Sequence, residues 1–148
     1  MFFPQFKPSS KVWVYTANRS LRPNEVEAIE VALKEFIPKW AAHGDTLYGD
    51  AIVHANRFVI LSIDESLVSA SGCSIDTSVR FIKQLGTDLN IDFFDRMNLV
   101  VNTNDELKSV HISTLKDHLN EKVYNPMITN LQELREEWLI SVALSPFV

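Results

Sequence analysis

The order in which the hydrophobic pattern changes along the chain restricts the fold more than any other feature of the sequence. Six segments carry strand or helix patterns in turn: a strand at 11–16, a helix that begins at Pro23 and ends near Ile37, strands at 47–55 and 57–64, a helix at 75–89 and a strand at 97–101. The order β-α-β-β-α-β is typical of the ferredoxin-like split βαβ arrangement. We therefore expect an α+β fold, in which a ferredoxin-like antiparallel sheet carries both helices on one face.

Residues with special backbone preferences separate these segments. Pro23 suits the first position of a helix, because its missing N–H would be unpaired there in any case. The pair Ala55-Asn56 suits a tight hairpin, since Asn tolerates a positive φ. Ser74 can cap the second helix.

The residues beyond the sixth segment predict an addition to this fold. A polar turn at 102–105 leads to a fifth strand near 107–112, and Ser113 can cap a short helix. Thr129, followed three residues later by Gln132, forms a capping-box pattern that predicts a last helix.

The composition fits one compact unit. The chain has 148 residues, of which 46% are hydrophobic and 22% are charged, as is typical of a globular protein. A chain of this length can bury a core without cross-links, and its one cysteine cannot form an internal disulfide. We predict a single α+β domain over 1–148, with an irregular N-terminal arm at 1–10 and a C-terminal β-α-α extension at 107–148.

The charge argues against two classes of partner. The formal net charge is −5 and the 14 basic residues are scattered, so no basic face is expected for nucleic acid or for an acidic membrane surface. No segment approaches the ~18 continuous apolar residues of a membrane span. The first residues also lack the pattern of a signal peptide. We therefore expect a cytoplasmic protein that binds neither nucleic acid nor membranes.

Several motifs of catalysis and cofactor binding are missing. The sequence contains no G-x-x-x-x-G-K-[ST], G-x-G-x-x-G, H-E-x-x-H or G-x-S-x-G, and its four glycines are too dispersed for a phosphate-cradling loop. One cysteine and scattered histidines do not supply the three or four convergent ligands that zinc needs. We expect no P-loop nucleotide hydrolysis, no cofactor and no metal site.

The segment Ser71-Gly72-Cys73-Ser74 is the candidate ligand-binding site. It lies where a loop turns into the second predicted helix, and the free N–H groups at a helix start favour anions. Gly72 would let a ligand approach the backbone closely. A simpler interpretation explains the same residue types: Ser71 and Ser74 cap the helix, and Cys73 fills a small apolar space.

The predicted topology also brings three candidate catalytic residues towards one end of the sheet. The third strand ends there, the second helix begins there and the first helix ends there, which places Asp64 and His43 towards Cys73. A thiol within reach of a base meets the requirement for an activated nucleophile. Cys73, His43 and Asp64 are therefore the candidate catalytic residues.

Four segments carry a resemblance to a known family: Val12-Trp13-Val14-Tyr15, Asn56-Arg57-Phe58-Val59-Ile60-Leu61, Asp64-Glu65-Ser66 and the run from Ser71 to Ile82. They resemble a family of short uncharacterised bacterial proteins, and the likeness runs over nearly the whole chain. Its most specific part is the Ser-Gly-Cys-Ser-Ile-Asp segment. Members often carry the label "ABC transporter ATPase", which this sequence does not support because it has no Walker A loop. The resemblance therefore implies neither an activity nor functional residues.

Three hypotheses about function follow from the sequence. The first is a non-catalytic module that binds a small molecule, an anion or a protein partner, because a well-formed core lacks a complete catalytic set. The alternative is a cysteine-dependent enzyme that uses Cys73 at a helix start. A third is a structural homodimer that pairs through an edge strand.

Overall fold

A computed structural model describes residues 1–148. Nine strands and three α-helices occur along the chain: β1 (Lys11–Thr16), α1 (Pro23–Phe36), β2 (Ala41–Ala42), β3 (Asp45–Thr46), β4 (Gly49–His54), β5 (Phe58–Ile63), α2 (Gly72–Leu89), β6 (Asn98–Thr103), β7 (Glu106–His111), β8 (Lys122–Tyr124), α3 (Leu131–Glu136) and β9 (Leu139–Ser141). Two 3₁₀ helices cover Ile37–Lys39 and Ile112–His118. The predicted α+β class is confirmed.

The first sheet has the order β1-β5-β4, and both pairings are antiparallel. All six residues of β5 are buried, as the apolar run at 58–63 predicts for a central strand. The β4–β5 hairpin turns at Ala55 and Asn56, whose φ angles are 54° and 53°. Two successive positive φ angles define the mirror-image turn that tight hairpins favour, so this predicted turn is confirmed.

Both long helices cover the same face of this sheet. One core holds apolar side chains from α1, α2 and β5: Ile29, Leu33, Val59, Leu61, Ile63, Ile82 and Leu85. The opposite face of the sheet packs in a second core, where Phe58 and Ile60 of β5 meet side chains from the N-terminal residues, β6 and the C-terminal segment: Phe3, Phe6, Val100, Leu134 and Trp138. The first sheet therefore lies between the two long helices and the rest of the chain.

The strand predicted at 97–101 lies in a second sheet instead of joining the first. The order of this second sheet is β7-β6-β8-β9, so the strand order does not confirm the ferredoxin-like sheet. Asn104 and Asp105 have φ angles of 51° and 66°, and β6 pairs with β7 along its whole length through this two-residue turn. Such a local pairing costs little loop-closure entropy, whereas pairing with β1 would close a loop of about eighty residues. The strand β6 consequently leaves the outer edge of β1 unpaired by any strand.

The C-terminal extension also differs from the predicted β-α-α order. Residues 112–118 are 3₁₀ rather than α-helical, and the last helix begins after Asn130 instead of Thr129. The side chain of Asn130 accepts a hydrogen bond from the Glu133 N–H at 2.9 Å, and the Glu133 carboxylate accepts one from the Thr129 N–H at 3.0 Å. The prediction missed β8 and β9, because strands of three residues show no periodicity.

Residues 1–10 form no helix or strand, yet they pack against the second core. Phe3 and Phe6 are each only 4% exposed. The guanidinium of Arg135 in α3 donates to the carbonyl oxygens of Phe2, Phe3 and Phe6, at 3.0, 2.7 and 3.1 Å. These bonds satisfy main-chain acceptors that no regular element pairs.

Arg57 links the two sheets from a buried position. Its Nε donates to the Ala17 carbonyl oxygen at 3.1 Å, just after β1, and a second guanidinium nitrogen donates to the Ser109 hydroxyl in β7. Burial lowers the pKa of the Arg57 guanidinium, and no carboxylate forms an ion pair with it. These hydrogen bonds fix the end of β1 relative to the second sheet.

The start of α1 carries a pH-dependent contribution to stability. Arg19 binds the Glu25 carboxylate through two hydrogen bonds of 2.8 and 2.7 Å, and the Arg22 N–H donates to the same carboxylate at 2.8 Å. The Arg19 hydrogen bonds, followed by the Arg22 N–H, lower the pKa of Glu25 to about 2. A folded-state pKa below the unfolded value stabilises the fold at neutral pH, and this contribution disappears as the pH falls towards the folded pKa.

We therefore predict that Glu25→Gln removes part of the acid sensitivity of the fold. The free energy of unfolding, measured by urea titration from pH 6 to about pH 2, should decline less steeply for Glu25→Gln than for the unchanged protein. Glu27→Gln is the matched control, since Glu27 lies on the same helix without a side-chain hydrogen bond. Parallel pH profiles for the unchanged protein and Glu25→Gln would contradict the assignment.

Candidate functional site

The hydroxyl groups of Ser71 and Ser74 cap the start of α2. The helix begins at Gly72, three residues earlier than a cap at Ser74 would place it, and Ser71 is the N-cap. The Ser71 hydroxyl accepts from the Ser74 N–H at 3.1 Å, and the Ser74 hydroxyl accepts from the Ser71 N–H at 2.8 Å. Both hydroxyls of the predicted ligand-binding segment therefore serve the helix cap, and anion binding by Ser71, Gly72, Cys73 and Ser74 stays a prediction.

Cys73 is exposed on the first turn of α2, so it does not fill an apolar space. His43 lies in the turn between β2 and β3 with a φ of 52°, and it is also exposed. The Nε1 of Trp40 donates to the Ser74 carbonyl oxygen at 2.8 Å, which holds the segment before β2 against the start of α2. Cys73 and His43 thus belong to neighbouring elements, but no hydrogen bond joins them.

Asp64 is buried and fixes the loop that follows β5. Its carboxylate accepts hydrogen bonds from the Ser66 N–H at 2.9 Å, the Ser66 hydroxyl and the Lys7 N–H at 3.3 Å. The Ser66 hydroxyl first, and then the backbone donors, hold the pKa of Asp64 below its ordinary value. A carboxylate that is kept ionised by these donors anchors the loop and the N-terminal residues, and no hydrogen bond connects it with Cys73.

The largest of the main cavities lies elsewhere, beside the unpaired edge of β1. We call it the β1 groove, and define it by six of its lining residues: Val14, Thr16, Phe94, Val100, Met127 and Trp138. Its volume is about 660 Å³, and 12 of its 18 lining residues are hydrophobic. Three other cavities of about 380, 530 and 390 Å³ open elsewhere on the surface.

One wall of the groove carries unpaired main-chain groups. In antiparallel pairing, the N–H and C=O of alternate residues point to the same side of a strand. The Val12 N–H donates to the Thr129 carbonyl oxygen at 3.1 Å, on the side of β1 that faces away from β5. By this alternation Val14 and Thr16 also point away from β5, where the structure gives their main-chain groups no hydrogen-bond partner.

The opposite wall is formed in part by another incomplete strand edge. The strand β8 pairs with β6 only at Val101 and Asn102. On the side of β6 that carries β8, the residues from Asn98 to Val100 therefore have no strand partner, and these residues line the groove.

The charged groups in the groove are two basic side chains and one carboxylate. Lys83 of α2 lies over the ring of Phe94, with its Nζ 5.5 Å from the ring centroid, and Arg96 is exposed. Neither basic group has a carboxylate within ion-pair distance. Asp95 accepts hydrogen bonds from the Met97 N–H at 2.8 Å and the Asn98 side-chain amide at 2.7 Å. The Asn98 amide and the Met97 N–H lower the pKa of Asp95.

The sequence analysis did not identify this groove. Its walls come from segments 13–16, 93–100 and 124–138, and only the strand order brings them together. The one local signal was Phe93-Phe94-Asp95-Arg96, where two aromatic residues and a charged pair follow a helix stop.

Comparisons with protein-family models, with curated proteins and with solved structures find no match to this chain. The structure contains no group of three or more His, Cys, Asp or Glu side chains that could hold a metal ion. None of its helices has both the length and the apolar character needed to cross a membrane.

Proposed function

We propose that the protein is a non-catalytic binding module and that the β1 groove receives its ligand. The groove volume of about 660 Å³ falls within the range of about 300 to 1,000 Å³ that is typical of ligand sites. Such sites combine apolar walls with a few polar groups that orient the ligand. The observation that carries the proposal is this combination: apolar walls, unpaired main-chain groups at Val14 and Thr16, and two unpaired basic side chains.

The composition of the groove favours binding over catalysis. No thiol and no imidazole lines it, and its one carboxylate, Asp95, is held ionised by two hydrogen-bond donors. A general base needs a pKa near the working pH, whereas the pKa of Asp95 is shifted downwards. The alternative hypothesis is an enzyme that uses Cys73. Neither His43 nor Asp64 is hydrogen-bonded to this thiol, so the structure supplies no base to activate it.

Binding of the fluorescent probe anilinonaphthalenesulfonate tests whether the groove accepts ligands. This probe joins an apolar ring system to an anionic group, which matches the apolar walls and the two basic side chains. We expect saturable binding that Met127→Glu weakens by about tenfold or more, because the new carboxylate places like charge beside the sulfonate. Met97→Glu is the matched control: Met97 is 54% exposed and Met127 66% exposed, but only Met127 lines the groove. Equal affinities for Met127→Glu, Met97→Glu and the unchanged protein would contradict the proposal.

A further inference from the structure

The main-chain groups at the outer edge of β1 indicate the kind of ligand that the groove takes. A strand edge with unpaired N–H and C=O groups is a template for a further strand. Extended peptides bind in this way, with main-chain hydrogen bonds supplying affinity and side-chain pockets supplying specificity. We propose that the β1 groove binds an extended peptide segment of another protein, which pairs with β1 at Val14 and Thr16. This inference rests on the proposed function, because it names the ligand of the same groove.

The chain itself already uses both ends of this edge for main-chain pairing. At one end the Val12 N–H donates to the Thr129 carbonyl oxygen at 3.1 Å. At the other end the Asn18 N–H donates to the Asp92 carbonyl oxygen at 3.0 Å. Only the stretch between these contacts is left open, and at about 3.3 Å per residue it is about 20 Å long. An added strand of about three to five residues fills such a gap.

The surroundings of the open stretch favour a flexible segment over a second copy of this chain. Two copies pairing edge to edge would each have to expose β1. In this protein the Thr129 and Asp92 segments cover the two ends of that edge, and Phe94 and Met127 line the groove beside it. A separate extended segment enters such a groove without bringing a second folded body against it. The same recess explains how an unpaired edge strand is tolerated without aggregation.

The charges indicate the composition of the peptide. Lys83 and Arg96 are unpaired basic groups at the groove of a protein whose formal net charge is −5. The hydrophobic lining calls for apolar side chains at alternate positions, which face one wall of the groove. The peptide we infer therefore alternates apolar residues and carries at least one acidic residue that reaches Lys83 and Arg96.

Selection from a phage library of fully randomised nine-residue peptides, panned on the unchanged protein and counter-selected on Met127→Glu, supplies the probe. The enriched peptide is then synthesised with single N-methyl groups along its backbone. Within the three to five residues that pair with β1, we expect N-methylation at alternate residues to weaken binding by about tenfold or more, because each removes one main-chain hydrogen bond to β1. N-methylation at the intervening residues should leave the affinity within about twofold. Enrichment of no peptide, or an N-methyl scan without alternation, overturns strand addition.

Charge variants provide an independent arm. Lys83→Ala and Arg96→Ala should each weaken binding of the acidic peptide several-fold. The same variants should leave the affinity for the peptide with its acidic residue replaced by the amide unchanged. Arg80→Ala is the matched control, because Arg80 is an exposed basic residue of α2 outside the groove. Equal losses for the acidic and the amide peptide overturn the proposed charge pairing.

The outcomes separate this inference from the proposed function. If the groove binds anilinonaphthalenesulfonate but no peptide, the binding module stands and strand addition fails. If neither the probe nor any peptide distinguishes Met127→Glu from Met97→Glu, both proposals fail. Light scattering tests whether a second copy of the chain occupies the groove. A dimer that Met127→Glu dissociates would assign the groove to that second copy and overturn the inference.

Discussion

Replacing Trp40 by alanine should lower the free energy of unfolding by about 3–5 kcal/mol, the usual cost of deleting a buried tryptophan side chain. Trp40 is only 1% exposed, and its ring packs against Trp13 and Phe36 with centroid separations of 5.9 and 5.4 Å. Its Nε1 donates to the Ser74 carbonyl oxygen at 2.8 Å, so the residue also fixes the start of α2. Urea unfolding followed by circular dichroism measures the change without relying on tryptophan fluorescence.

The variant Trp40→Phe separates the packing of this ring from its hydrogen bond. Phenylalanine retains much of the apolar contact but removes the hydrogen bond from Trp40 Nε1 to the Ser74 carbonyl oxygen, which should cost about 0.5–1.5 kcal/mol. The order of stability should therefore be the unchanged protein, then Trp40→Phe, then Trp40→Ala. A loss below about 1 kcal/mol for Trp40→Ala would show that Trp40 does not lie in the core.

Gly86→Ala should destabilise the fold by about 1–3 kcal/mol, although alanine is normally the better helix former. A Cβ at position 86 would lie 2.5 Å from the Ile91 carbonyl oxygen and 3.5 Å from the Phe93 ring. The Ile91 N–H donates to the Gly86 carbonyl oxygen at 2.8 Å, and Asn90 ends the helix with a φ of 55°. The chain after α2 is therefore held against Gly86. In Gly86→Ala, either the helix or this following segment must shift to make room for the methyl group.

Gly72→Ala is the control for this prediction. A Cβ at position 72 meets no atom within 4 Å, and the residue is the first of α2. Its substitution should change the free energy of unfolding by no more than about 0.5 kcal/mol. If both glycine variants unfold at the same urea concentration, the result would contradict the close contact between Gly86 of α2 and the segment that follows the helix. Because that segment carries Phe93 to Arg96, the same result would also question the shape of the groove.

Local patterns predicted most of the individual elements in the first two thirds of the chain. The alternation at 11–16 gives the bounds of β1, and Pro23 marks the start of α1. The sequence does not fix the start of α2, because Ser71 and Ser74 are both good caps and form reciprocal hydrogen bonds. Which serine precedes the first helical turn is decided by the loop before it, and the residue types alone do not show this.

These local patterns do not predict the order of the strands in the sheets. Whether β6 joins β1 or begins a second sheet depends on β8 and β9, which have three residues each and show no periodicity. Once β6 pairs with β7 and β8, the outer edge of β1 stays open and the groove exists. The sequence directed attention to Cys73, whereas the site that the structure supports combines apolar side chains from distant segments with the main-chain groups of Val14 and Thr16, for which residue types carry no signal.

Backbone amide hydrogen exchange along β1 tests the central claim most directly. In the free protein, we expect the amides of Val14 and Thr16, which point away from β5, to exchange quickly, while those of Trp13 and Tyr15, which point towards β5, exchange slowly. Saturation with the selected peptide should then slow exchange at Val14 and Thr16. Slow exchange at all four amides in the free protein, or no change at Val14 and Thr16 on saturation, would contradict strand addition at this edge.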